Sequence, residues 1–202
     1  MLKVYTIFPV GFVSDSYLVT ADGHSAVAID PSQPRVMQEA ERLGLKIKAV
    51  LLTHGHFDHV GACFALSAAG VPVYASEAEA NLVNGKDSLY LEYNAPTPSF
   101  KVCCTLHDGD KITLAGITFT VIATPGHTAG SVTYAVENYL FTGDTLFAGS
   151  VGRTDFPTGD EEALVKSVRK LYALDGDRKV YPGHGDDTTL EKERRYNMCI
   201  RL

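Results

Sequence analysis

Short apolar runs separated by turn residues open the chain, at positions 4–8, then 17–20, an Asp22-Gly23 turn, and 26–29. Runs of that length between turn signals predict a β-meander. The period then changes: Ser32 ahead of Pro34 predicts an N-cap and first helical turn, and Val36, Met37, Ala40 and Leu43 recur at helical spacing up to Gly44. A short buried strand is expected over 49–52, then a helix over 62–69, a strand over 71–74 and a helix over 77–82. Residues 84–99, with Pro96 and Pro98, read as a long loop.

A second strand-rich half follows, at 112–114 and 117–123 around an Ala115-Gly116 turn, then at 132–136 and 139–141. The clearest amphipathic helix covers 161–174, with Leu164, Val168, Leu171 and Leu174 on one face. Two strand-rich halves that resemble each other in element order, each carrying helices, predict two sheets packed face to face with helices outside. That is a four-layer αββα sandwich of the α/β class. No linker is visible, and 202 residues suit one domain over 1–202 with a sizeable core.

Composition narrows the class without changing this picture. The chain is 45% hydrophobic and 21% charged, with a mean hydropathy near zero, as in globular proteins. Residues 1–20 carry one lysine and no apolar stretch ending in a small-residue cleavage site, so no secretory signal is expected, and no run approaches membrane-spanning length. Cys63, Cys103, Cys104 and Cys199 lack C-x-x-C spacing, which suggests reduced thiols in the cytoplasm and no cysteine metal ligand. A formal charge of −6 argues against nucleic acid as a partner, and the Arg194-Arg195 pair reads as a solvated helix face. The expected partner is a small-molecule substrate, with no membrane, and the expected assembly is a monomer or homodimer.

Histidine placement carries the chemistry. Of seven histidines, His54, His56, His127 and His184 stand after a predicted strand or beside glycine, and His59 closes the same short run as His54 and His56. In Thr53-His54-Gly55-His56-Phe57-Asp58-His59, four ligand-type side chains occupy six positions. Buried without partners, such groups would each cost roughly 2–7 kcal/mol. A metal ion removes that cost by using their lone pairs, and imidazole with carboxylate suits zinc, iron and similar ions. Strand-to-glycine contexts recur at Pro125-Gly126-His127, Gly143-Asp144 and Pro182-Gly183-His184. His24 and His107 lie in turn-like contexts and read as surface residues.

The series H-x-H-x-D-H, then H, D and H, resembles the metallo-β-lactamase superfamily over essentially the whole chain. The resemblance implies a first metal on His54, His56 and His127, a second on Asp58, His59 and His184, and Asp144 bridging both. It also implies a hydroxide nucleophile shared by two divalent ions, zinc with iron or manganese as alternatives, and a catalytic role for Asp58 in orienting that water. The β-lactamases proper use cysteine at the position of Asp144 or otherwise break this set, so Asp144 points away from antibiotic hydrolysis.

The run from Phe141 to Phe147 resembles glyoxalase II, the hydroxyacylglutathione hydrolases, which implies thioester hydrolysis. Gly152-Arg153-Thr154-Asp155-Phe156-Pro157 resembles small glyoxalase II-like proteins and also persulfide dioxygenases. Only 18 residues follow His184, too few for the helical C-terminal domain of full-length glyoxalase II. Arg153 is the candidate substrate-binding residue, as a clamp on a carboxylate, against a loop-ordering ion pair with Asp155 or Asp160. Phe57, Tyr90 and Tyr93 are candidates for a substrate wall, against plain packing.

Three alternatives follow from the same residues. One is a persulfide dioxygenase with a single iron on His54, His127 and Asp144; Phe57 counts against it, standing where those oxygenases generally show alanine. Another is lactone or ester hydrolysis on the same site. The third is a non-catalytic metal-binding protein, which the seven-residue set disfavours because structural zinc sites close with four ligands.

Overall fold

A computed structural model of the protein describes residues 1–96 and 99–201. Strands β1 (Lys3–Ile7), β2 (Ser16–Thr20) and β3 (Ser25–Ile29) form the antiparallel meander. Helix α1 (Arg35–Arg42) crosses to β4 (Lys46–Leu51), parallel to β3. Helix α2 (Cys63–Ala68) leads to β5 (Val73–Ser76), and α3 (Glu77–Leu82) precedes β6 (Cys104–Leu106), each new strand adding in parallel.

The second sheet repeats the plan. Strands β7 (Lys111–Leu114), β8 (Ile117–Ala123), β9 (Val132–Val136) and β10 (Tyr139–Gly143) are antiparallel in turn. After a hairpin of β11 (Leu146–Phe147) and β12 (Ser150–Val151), α4 (Glu161–Tyr172) crosses to β13 (Lys179–Pro182), parallel to β10. Strand β14 (Thr188–Thr189) completes the sheet and α5 (Leu190–Tyr196) follows it. The sheet orders are β1-β2-β3-β4-β5-β6 and β14-β13-β10-β9-β8-β7.

Strand alternation makes the layers, because successive side chains leave opposite faces of a sheet. In the first sheet Leu18, Ala26, Ala28, Val50 and Leu52 pack with Val36, Ala40, Cys63 and Leu66 of the helical layer. Their neighbours Tyr17, Val19, Val27, Ile29 and Leu51 face the other way, against Phe119, Val121, Tyr134 and Phe141 of the second sheet. Leu140 and Val180 point out from that sheet onto Val168, Leu171, Tyr172 and Leu190 of α4 and α5. Three apolar clusters thus separate four layers, the αββα sandwich expected. Among the described residues no helix is long and apolar enough to cross a membrane.

Several local expectations are corrected. Ser32 does not cap α1, which starts after Pro34 with no side-chain cap; the Ser32 hydroxyl instead donates to the Ser14 carbonyl at 2.7 Å, tying two loops together. Strands β6, β11, β12 and β14, of two or three residues each, are too short to show a period. The loop expected over 84–99 contains a 3-10 turn at Lys86–Ser88; its Pro98 lies outside the described residues. Arg194 is half-buried rather than solvated: its guanidinium donates to the carbonyls of Tyr172, Leu174 and Gly176 at and just beyond the end of α4, where free carbonyls need donors. Arg195 does face solvent, paired with Glu191.

Phe119 is fully buried between the sheets. Phe119→Ala should lower unfolding free energy by about 3–5 kcal/mol, the cost of lost burial plus a cavity. Urea denaturation reads this directly, and a loss under about 1 kcal/mol would mean that the layers do not pack there as described.

Candidate metal centre

Strand direction brings the site together. Strands β8, β10 and β13 run the same way, since β8 and β10 are each antiparallel to β9 and β13 is parallel to β10. Their C-terminal ends therefore lie on one edge, and the segments leaving them carry His127, Asp144 and His184. Strand β4 delivers the rest across the sandwich. The Val132 N–H donates to the Thr53 carbonyl at 2.9 Å and the Tyr134 hydroxyl to the Leu52 carbonyl at 2.7 Å. A 3-10 turn at Phe57–His59 then turns Asp58 and His59 inward.

All seven sequence-predicted residues converge. Donor atoms of His54, His56 and His127 lie within 4.8 Å of one another, as do those of Asp58, His59 and His184, and a third grouping of His54, His59 and Asp144 links the two. Asp144 lies between them, with its carboxylate 3.3 Å from His59 Nε2 and 3.5 Å from both His127 Nε2 and His184 Nε2. Asp58 Oδ2 is 3.3 Å from His184 Nε2. Two glycines allow this closeness. A Cβ on Gly183 would stand 2.1 Å from Asp144 Oδ1, and Gly143, at φ +50°, would drive one into Thr53 Oγ1.

The electrostatics fit a cation. Burial, with His59, His56 and His127 beside it, holds His54 well below the usual imidazole range. Burial and His127 lower His56 to about 3. Both rings are therefore neutral, with lone pairs available. Burial opposes charge on His59 and His184 too, but there the carboxylates of Asp58 and Asp144 prevail and raise both pKa values. Burial would lift Asp144, yet His59, His127 and His184 hold it far below the ordinary carboxylate range. The Nε2 atoms of His54 and His56 are buried without hydrogen-bond partners, and Nε2 of His59 has only the Asp58 and Asp144 carboxylates before it. Unpartnered lone pairs beside buried carboxylates demand positive charge, which a divalent cation supplies by displacing protons.

These residues lie within a segment, 9–184, that matches the metallo-β-lactamase superfamily. The chain belongs to that superfamily. Among similar metallo-β-lactamase superfamily proteins is the hydroxyacylglutathione hydrolase GloC of Haemophilus influenzae, 37% identical over 212 residues covering 96% of each chain. The B3 metallo-β-lactamase BLEG-1 superposes with a TM-score of 0.90 at 33% identity, over 97% of this chain and 98% of that one. TTHA1623 in a di-iron-bound form gives 0.85 at 35%, over 96% and 98%.

The candidate centre has supports that its sequence alone does not single out. Asp30, at φ +46°, accepts from Thr53 N at 2.8 Å and Thr53 Oγ1 at 2.6 Å, and its Oδ2 also accepts from His59 Nδ1 at 3.0 Å. That contact fixes the His59 tautomer and aims Nε2 inward. Its signal was the same strand-end position used for His54 and Asp144. Glu79 is fully buried in α3 and accepts from Gly55 N at 2.6 Å, Thr128 Oγ1 at 2.7 Å and Gly130 N at 3.0 Å. It joins the His54–His56 loop to the His127 loop, and nothing local marks it.

A cavity of about 610 Å³ opens onto the centre, lined by Phe57, Tyr93 and Arg153 among the candidates. Tyr90 does not line it, whereas Phe12, Leu89, Phe147 and Phe156 do. His24 and His107 are exposed, away from the site.

Glu79→Ala strands two backbone N–H groups and a hydroxyl, so it should cost at least about 2 kcal/mol of stability, and Glu79→Gln, which keeps one acceptor oxygen, should cost less. Urea unfolding of both variants checks this; equal, negligible losses would remove Glu79 as a tie between the loops.

Proposed function

We propose that the protein is a dinuclear metal-dependent hydrolase of thioesters, with hydroxyacylglutathione as the reference substrate. The observation that carries the reading is the convergence of seven donor side chains, with Nε2 of His54 and of His56 buried without a hydrogen-bond partner and Nε2 of His59 turned to the carboxylates of Asp58 and Asp144. Similarity to a hydroxyacylglutathione hydrolase at 37% identity supports the substrate class.

In this reading His54, His56 and His127 hold one ion, Asp58, His59 and His184 hold the other, and Asp144 is shared. Zinc suits the imidazole-rich set, and the similarity to a di-iron-bound structure supports iron as the second assignment. When bound, two such ions lower the pKa of water and polarise an acyl carbonyl.

The chain's own residues do the rest. The neutral rings of His54 and His56 present lone pairs, while Asp144 and Asp58 supply the negative charge that offsets two cations. Asp30 keeps His59 Nε2 directed into the site. Asp58 lines the groove as well as the centre, so its carboxylate can orient an attacking water. The groove seats the acyl group against this edge. Four free cysteines support a reducing compartment, and we assign the protein to the cytoplasm, as one domain over residues 1–202.

The purified protein should hold about two divalent ions per chain, and chelation should abolish turnover of S-D-lactoylglutathione. Asp144→Ala should reduce metal content at both positions and lower the rate far more than His24→Ala, because the shared carboxylate offsets repulsion between neighbouring cations. Elemental analysis and steady-state kinetics test both. Full metal content and rate in Asp144→Ala would overturn the bridge, and a β-lactam serves as control substrate given the likeness to BLEG-1.

A further inference from the structure

The Gly152–Phe156 run lies beside the centre without supplying a donor to it. His127 Nδ1 donates to the Arg153 carbonyl at 2.7 Å, so this loop is anchored to one of the proposed ligands. Its charged side chain is already engaged. Arg153 Nε and a terminal guanidinium nitrogen each donate to the Asp155 carboxylate at 2.6 Å, and the guanidinium carbon lies 4.0 Å from the centre of the Phe156 ring. Both charged side chains are more than half exposed, so the pair adds little stability. Its consequence is for charge: the lysine and arginine side chains lining the groove, among the described residues, amount to Arg153, and Asp155 neutralises it.

The remaining wall is apolar. Phe57 and Tyr93 stack with centroids 5.0 Å apart, and Tyr93 meets Phe156 edge to face at 6.4 Å. Phe147 and Leu89 complete it. Phe12 lines the mouth while 99% exposed, an aromatic side chain with no cover from the protein itself.

We propose that this groove seats the uncharged, apolar arm of a thioester, and that Asp155, by occupying Arg153, makes the groove discriminate against anionic arms. The inference rests on the hydrolase reading above and narrows its substrate class. An apolar arm gains by leaving water against the aromatic wall. An anionic arm must compete with Asp155 for the guanidinium and lie close to its carboxylate, which is selection by repulsion as well as attraction.

Neutral and anionic thioesters with the same acyl group test this. The metal-loaded protein should turn over S-D-lactoyl-N-acetylcysteamine with a higher kcat/KM than S-D-lactoylglutathione, and kcat/KM should climb from the acetyl to the hexanoyl thioester of N-acetylcysteamine. Asp155→Asn should raise the anionic-to-neutral ratio by about tenfold, carried by KM, the effect of freeing one charge-assisted contact. A second readout needs no turnover: calorimetric binding of S-hexyl-N-acetylcysteamine and S-hexylglutathione, with the preference for the neutral thioether weakened in Asp155→Asn. A wild-type preference for the glutathione compounds, or a ratio that Asp155→Asn leaves in place, overturns the proposal. If no thioester is turned over with metal bound, the hydrolase reading fails, and the binding measurement alone decides the character of the groove.

Discussion

Two largely buried carboxylates and five imidazoles share one edge of the sandwich, and their mutual electrostatics constrain everything around them. Asp144 lies within 3.5 Å of three histidine nitrogens, and burial strips it of water that would otherwise stabilise its charge. Such an arrangement is tolerable only with positive charge among the donors. Fold, supports and groove can each be understood as what is needed to hold lone pairs at this spacing.

The supports act from opposite directions. Asp30 reaches from the end of β3 to Thr53 and His59 in the first-sheet half. Glu79 reaches from α3 to both the Gly55 loop and the Thr128–Gly130 segment of the second half. A buried carboxylate with three donors is costly to desolvate, but once its partners are in place it restricts the loops to one arrangement. The backbone bond from Val132 to Thr53 and the bond from the Tyr134 hydroxyl to the Leu52 carbonyl do the same between the sheets. The centre is therefore clamped across the interface of the two halves, and neither half contains it alone.

Beside that polar edge, the groove has a different character. Its walls are mostly aromatic, and among the described residues the guanidinium on them, that of Arg153, is bound by Asp155. Polar chemistry is concentrated at the bottom, where the donors converge, and apolar contact along the sides. That division suits a substrate whose reacting carbonyl differs sharply in polarity from the group that positions it.

The four layers were legible in the sequence because strand alternation and helical period are local properties, set by which face of each element must leave water. The convergence of the seven candidate donors was legible for a related reason: they come in segments that leave strand ends, and four crowd into six positions, a density that packing alone does not produce. Glu79 was not legible, since on a short helix it looks like any solvated glutamate, and only the approach of two distant loops buries it. Arg194 likewise matched an exposed helix face until the end of α4 came near with free carbonyls. Whether Arg153 meets Asp155, Asp160 or a ligand depended on how its loop turns beside His127. Residues such as Phe12 and Phe156 are separated by most of the chain, and their common wall exists only because the two sheets pack face to face.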